Sequence, residues 1–173
     1  MHKQYLTTPS GDHVASIPKS GSSSIAKAVL CELYPDKVPT FLGADPTDTP
    51  VWQGFVPKAE TPENPCILVR DPVKRFASAC VQAKMTPAEA IAHIESAEKI
   101  NPHFSHTSAF LTPSDNRLFL FPDQLPELAK ELGLSEIGRV HASKATVELS
   151  KSEIAWVKKH YKDDCDLFNS IKR

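Results

Sequence analysis

One local pattern constrains this chain more than any other. An apolar run from His13 to Ile17 stops at Pro18, a loop of small residues carrying a single lysine follows, and a helical pattern then begins. The whole stretch is Ser16-Ile-Pro-Lys-Ser-Gly-Ser-Ser-Ser-Ile-Ala-Lys-Ala-Val29. A strand that turns tightly into a helix gathers anions, because loop and first-turn N–H groups converge and the helix dipole favours negative charge there. Gly21 allows close backbone approach. Ser20, Ser22, Ser23 and Ser24 add hydroxyls, and Lys19 adds a mobile charge. The nucleoside-triphosphate loop G-x-x-x-x-G-K-[ST] is absent, since the lysine here precedes the glycine.

A second segment repeats the design. Cys66 to Val69 is a short apolar run suited to a buried strand. Asp71 is a good N-cap, and Pro72 suits the first helical position. Arg70 therefore falls at the carboxyl end of a strand and beside a helix start, the edge at which open α/β sheets bind ligands. Ser78 lies seven residues after Asp71, close to two helical turns, and is expected on the same side.

Together these segments resemble the two nucleotide-binding motifs of sulfotransferases. Pro18-Lys19-Ser20-Gly21-Ser22-Ser23-Ser24 resembles the 5′-phosphosulfate loop. Arg70-Asp71-Pro72-Val73-Lys74-Arg75-Phe76-Ala77-Ser78 resembles the 3′-phosphate motif, most of all in the carbohydrate (Golgi-type) branch. Asn101-Pro-His-Phe104 and Tyr161-Lys-Asp-Asp-Cys-Asp-Leu-Phe168 are similar to downstream segments of that branch, with Cys165 at a tyrosine position. The resemblance implies 3′-phosphoadenosine 5′-phosphosulfate (PAPS) as cofactor. It implies Lys19, Ser20, Gly21, Ser22 and Ser23 at the 5′ end, Arg70 and Ser78 at the 3′-phosphate, and Lys19 as the group that stabilises the transition state. The implied reaction moves a sulfuryl group to a hydroxyl, for instance of a carbohydrate, or to an amine. No metal is expected, because lysine and amide dipoles cover the charge.

An attacking hydroxyl must lose a proton, so a base is required. The segment between the two motifs holds no histidine from Val51 to Glu60. Glu60 and His103 are the leading candidates, with Glu32 and His106 behind them. Arg75 reads either as a phosphate ligand or as half of a structural ion pair. A nucleotide-binding module without a base and a small kinase are the alternative readings. The kinase lacks the Gly-Lys-Ser/Thr ending and an evident metal-binding aspartate after a strand.

Strand and helix patterns alternate along the chain, which predicts α/β architecture with a parallel sheet. With the resemblance, the expected fold is a P-loop-like three-layer sandwich, a short central parallel sheet flanked by helices, in a single sulfotransferase-like domain over residues 1–173. Helices are expected from about Ser23 to Tyr34, after Arg70 to about Lys84, from Thr86 to about Lys99, over Leu125 to Leu132, and from Ser150 to about Lys162. Asp164 to Ile171 reads as a continuation of that last helix or as a further short one. Thr86-Pro-Ala-Glu89 and Ser150-Lys-Ser-Glu153 are capping boxes. Arg117 to Phe121 reads as a strand, and Met1 to Asp12 as merely polar. Seven prolines between Pro35 and Pro65 forbid a long helix there. Val51 to Val56 fits one short strand, and this stretch is a candidate acceptor wall.

A net charge of −1 gives no footprint for nucleic acid. No apolar run approaches the roughly 20 residues that span a bilayer, and the N-terminus lacks a signal-peptide core. The expectation is a cytoplasmic protein without membrane or nucleic-acid partners, acting on a small-molecule or carbohydrate acceptor. Cys31, Cys66, Cys80 and Cys165 form no C-x-x-C pair and read as reduced, buried thiols.

Overall fold

The computed structural model describes residues 5–33, 62–113, 115–138 and 147–172. Four strands form one sheet: β1 (Tyr5–Thr7), β2 (His13–Ala15), β3 (Cys66–Val69) and β4 (Arg117–Leu120), in the order β1-β2-β3-β4. The β2–β3 and β3–β4 pairs are parallel, as the alternation predicts, with Val14 opposite Cys66 and Ile67 opposite Leu118. The β1–β2 pair is antiparallel, with Leu6 opposite Val14. The sheet is therefore mixed, which corrects the all-parallel expectation. The cause is the Thr8–Asp12 turn: Thr8 N–H donates to the Asp12 carbonyl and Gly11 N–H to that of Thr8, both at 2.9 Å. Gly11 takes a φ of 87° to close it. A strand of three residues is too short for its alternation to register in sequence.

Six α-helices surround this sheet among the described residues: α1 (Ser22–Leu33), α2 (Pro72–Ala83), α3 (Pro87–Ser96), α4 (Leu125–Glu131), α5 (Lys151–His160) and α6 (Lys162–Ile171). Two single 3₁₀ turns, Pro102–Phe104 and Ser108–Phe110, lie between α3 and β4. Starts follow the expected chemistry. Asp71 Oδ1 accepts from the N–H groups of Val73 and Lys74, at 2.8 and 3.2 Å. Both capping boxes form, with Glu89 returning to Thr86 and Glu153 to Ser150. The last helical stretch is not continuous, because it breaks at Tyr161.

Strand periodicity sorts the core. Leu6, Val14, Cys66 and Leu68 face one way, onto Ile25, Ala26 and Val29 of α1 and Leu125, Leu128 and Ala129 of α4. Tyr5, Ala15, Ile67 and Val69 face the other way, onto Leu167, Phe168 and Ile171 of α6. A strand covered on both faces reads as an unbroken apolar run, which is why Cys66-Ile-Leu-Val69 stands out. A separate cluster joins α2, α3 and α5 through Phe76, Cys80, Ile94, Phe104, Val157 and Tyr161. All four cysteines are free; Cys66 and Cys80 are buried, whereas Cys31 and Cys165 are half-buried. Burial pushes the thiols of Cys66 and Cys80 up to about 12 and about 11.

Arg75 turns out to be structural. Its Nη2 lies 3.1 Å from Asp164 Oδ2, and the two side chains are 2% and 1% exposed. Asp164 also accepts from the N–H groups of Thr107 and Ser108, each at 2.8 Å. Arg75 further donates to the Ser105 carbonyl and faces the Tyr161 ring at 5.1 Å. Burial lowers the Arg75 pKa, and Asp164 opposes that shift. Removing one partner strands the other charge in the interior. Asp164→Asn is therefore expected to lower unfolding stability by about 3 kcal/mol, read as a lower urea midpoint at unchanged slope.

Candidate functional site

The lysine loop connects β2 to α1. Ser20 N–H donates to the Ile17 carbonyl at 3.2 Å, and Ile25 N–H to that of Gly21 at 3.1 Å. The helix thus begins just after Gly21, at Ser22, and the N–H groups of its first turn have no intrahelical acceptor. Lys19 has a φ of 65° and Gly21 one of 86°. At Gly21 the reason is visible: an added Cβ would stand 2.7 Å from Cδ2 and Cε2 of Phe121. Ser20 and Ser24 are buried, while Ser22 and Ser23 are half-buried at the helix start.

Arg70 reaches this loop directly. Its Nη1 donates to the Lys19 carbonyl at 2.8 Å, across 51 residues of sequence. Its guanidinium carbon lies 5.5 Å from the centroid of the Phe121 ring. Asp71 spends its carboxylate on the start of α2, so the two neighbours serve different ends. Lys19 Nζ lies 3.5 Å from Gln82 Oε1, an acceptor on α2. Gln82 stands one turn beyond Ser78 on the same helical face, which turns that face toward the loop.

His103 lies on the first 3₁₀ turn, where Asn101 Oδ1 accepts from its backbone N–H at 3.0 Å. Burial lowers its pKa from 6.5, and the Lys19 charge lowers it further. Among the described residues, four buried side-chain atoms lack a hydrogen-bond partner, and Ser20 Oγ and His103 Nδ1 are two of them. Unsatisfied buried polar atoms are uncommon, and two of these belong to candidate residues.

Two other base candidates are placed elsewhere. Glu32 is eleven residues from Gly21 along α1, about 16 Å by helical rise, and it accepts from Ser135 Oγ. His106 packs against the rings of His160 and Tyr161, at 5.1 and 4.7 Å. Glu60 and the Val51–Val56 stretch lie outside the described residues. Sequence reading overlooked Gln82 and Phe121. Gln82 had a signal, its spacing of four from Ser78, whereas Phe121 is brought in only by the sheet. No cluster of three metal-binding side chains and no helix long and apolar enough to cross a membrane occurs among the described residues.

Two glycines with similar φ separate backbone strain from crowding. Around Gly11 nothing lies within 4 Å of an added Cβ. Gly11→Ala is expected to cost about 1 kcal/mol from its positive φ, and Gly21→Ala about 1–3 kcal/mol more through Phe121, compared by thermal melting. The His103 imidazole, followed by NMR, is expected to titrate below 6.5. Lys19→Ala removes a nearby positive charge and so is expected to move that titration upward.

Comparison with protein families, curated proteins and solved structures finds no match to this chain.

Proposed function

We propose that the chain is a PAPS-dependent sulfotransferase that passes a sulfuryl group to a hydroxyl, such as one on a carbohydrate, or to an amine. The observation that carries this reading is the hydrogen bond from Arg70 to the Lys19 carbonyl, 2.8 Å long. It joins the segments that follow the neighbouring strands β2 and β3, which are far apart in sequence and which this reading makes the two anion-binding segments. Helices on both sheet faces suit the P-loop-like layering that the same reading implies. One further detail suits a polar ligand: Ser20 Oγ is buried without a partner.

The nucleotide supplies an activated sulfuryl group, and the chain supplies binding, charge and proton transfer. Arg70 and Ser78 take the 3′-phosphate, for which a planar guanidinium fork is suited. The first-turn amides with Ser22 and Ser23 take the 5′ end. Lys19 places its ammonium where negative charge grows on the leaving oxygen as the S–O bond breaks, an electrostatic contribution to the rate. His103, kept neutral near pH 7 by burial and by Lys19, accepts the proton of the attacking group at its ring. The products are the sulfated acceptor and 3′,5′-adenosine bisphosphate.

Calorimetric titration with the bisphosphate tests the binding half. Micromolar affinity is expected, and Arg70→Ala is expected to weaken it by about 1.5–3 kcal/mol. An Arg70→Ala protein that binds as tightly as the parent would overturn the assignment. Transfer of labelled sulfate across an acceptor panel tests the chemistry. Lys19→Ala is expected to reduce turnover more than nucleotide affinity, since its charge matters most in the transition state. Binding without transfer to any acceptor would favour a non-catalytic module.

The His103 shift also has a sign. A depressed pKa keeps the base available as pH falls to 6.5, and activity is lost only below that. The acid limb of kcat/KM is expected below 6.5 and is expected to vanish in His103→Gln.

A further inference from the structure

Phe121 touches both halves of the site, although nothing in its own segment points to ligand binding. It follows β4, is 9% exposed, and sits in the core with Leu68 and Leu125. Its N–H donates to the Val69 carbonyl at 2.8 Å, which anchors it beside the residue preceding Arg70. One edge of its ring closes on Gly21, where a Cβ would stand 2.7 Å away. The ring also lies 5.5 Å from the Arg70 guanidinium carbon, within range of a cation–π contact. Arg70 is thus held from two directions, by the Lys19 carbonyl and by the ring.

We infer that Phe121 is a positioning residue that sets the aim of Arg70, and so sets the preference for a nucleotide with a second, 3′-phosphate over one with a 5′-phosphate alone. This inference rests on the sulfotransferase reading. The physical basis is the cost of an unaimed guanidinium. A flexible arginine must be ordered before its fork can meet a phosphate, and a preset side chain avoids that loss. Loop amides and Lys19 meet the 5′ end that both kinds of nucleotide share, so any loosening of the Phe121–Gly21 contact acts on both alike and leaves their ratio to report the aim of Arg70.

The experiment is a double-mutant cycle read by calorimetry, with 3′,5′-adenosine bisphosphate and 5′-AMP as the two probes. The proteins are the parent, Phe121→Leu, Arg70→Ala and the double variant, each checked for folding by thermal melting. The parent is expected to prefer the bisphosphate. Phe121→Leu is expected to reduce that preference about tenfold, read as a larger loss of affinity for the bisphosphate than for 5′-AMP. In the Arg70→Ala background, Phe121→Leu is expected to change the preference no further, because its effect passes through the arginine. Phe121→Met serves the same purpose should the leucine variant not fold, and Phe121→Tyr, which keeps a ring, is expected to keep the preference. An unchanged preference in the leucine or methionine variant, or effects that simply add, would overturn the role of Phe121 while leaving the sulfotransferase reading intact. A parent protein with no preference for the bisphosphate would instead overturn the reading on which the inference rests.

Discussion

The carboxylate of Asp164 is the constraint on which most of the helical side of the molecule depends. It takes a hydrogen bond from Arg75 and two more from the backbone at Thr107 and Ser108. Tyr161, three residues earlier, donates to the Phe104 carbonyl at 2.8 Å and offers its ring to Arg75. One buried charge pair thus fastens α2 and α6 to the segment that carries His103. The electrostatic relation between Lys19 and His103 relies on segment 101–108 being held at this depth.

Much of this was legible in the sequence because the chemistry is local. Helix starts at Asp71, Thr86 and Ser150 depend on residues within four positions of one another, and all three form as their sequences predict. The two strand–loop–helix units were legible for the same reason. Arg75 was readable as half of an ion pair, but its partner is 89 residues away and no spacing rule could name it. Distance in the chain also hid Phe121. The antiparallel β1 was missed because three residues carry too little periodicity, and its pairing is dictated by the turn that follows. Glu32 and His106 show the limit of reading side-chain chemistry without geometry. Both have suitable functional groups, and each is engaged by another partner, Ser135 for Glu32 and the Tyr161 ring for His106.

Phe76 and Phe104 illustrate how the four resembling stretches relate in space. Their rings pack at 5.6 Å, one from the arginine motif and the other from the Asn101–Phe104 segment. Tyr161 and Asp164, from the C-terminal stretch, close the same cluster. The downstream stretches therefore serve mainly as scaffold, whereas the first two carry Lys19 and Arg70 beyond the carboxyl ends of β2 and β3. His103 alone bridges these roles, with its backbone in the scaffold and its ring within the electrostatic reach of Lys19.

The ends of the sheet carry a different consequence. β1 has three residues and β4 has four, and each is paired on one side only among the described strands. Arg117, at the head of β4, clasps Asp12 and Glu131 at 2.7 Å each, setting charge at that border. Short, charged borders offer a poor template to a strand from another molecule. The described borders thereby disfavour lateral growth into fibrils, whereas the inner strand Cys66-Ile-Leu-Val69 would be adhesive if exposed.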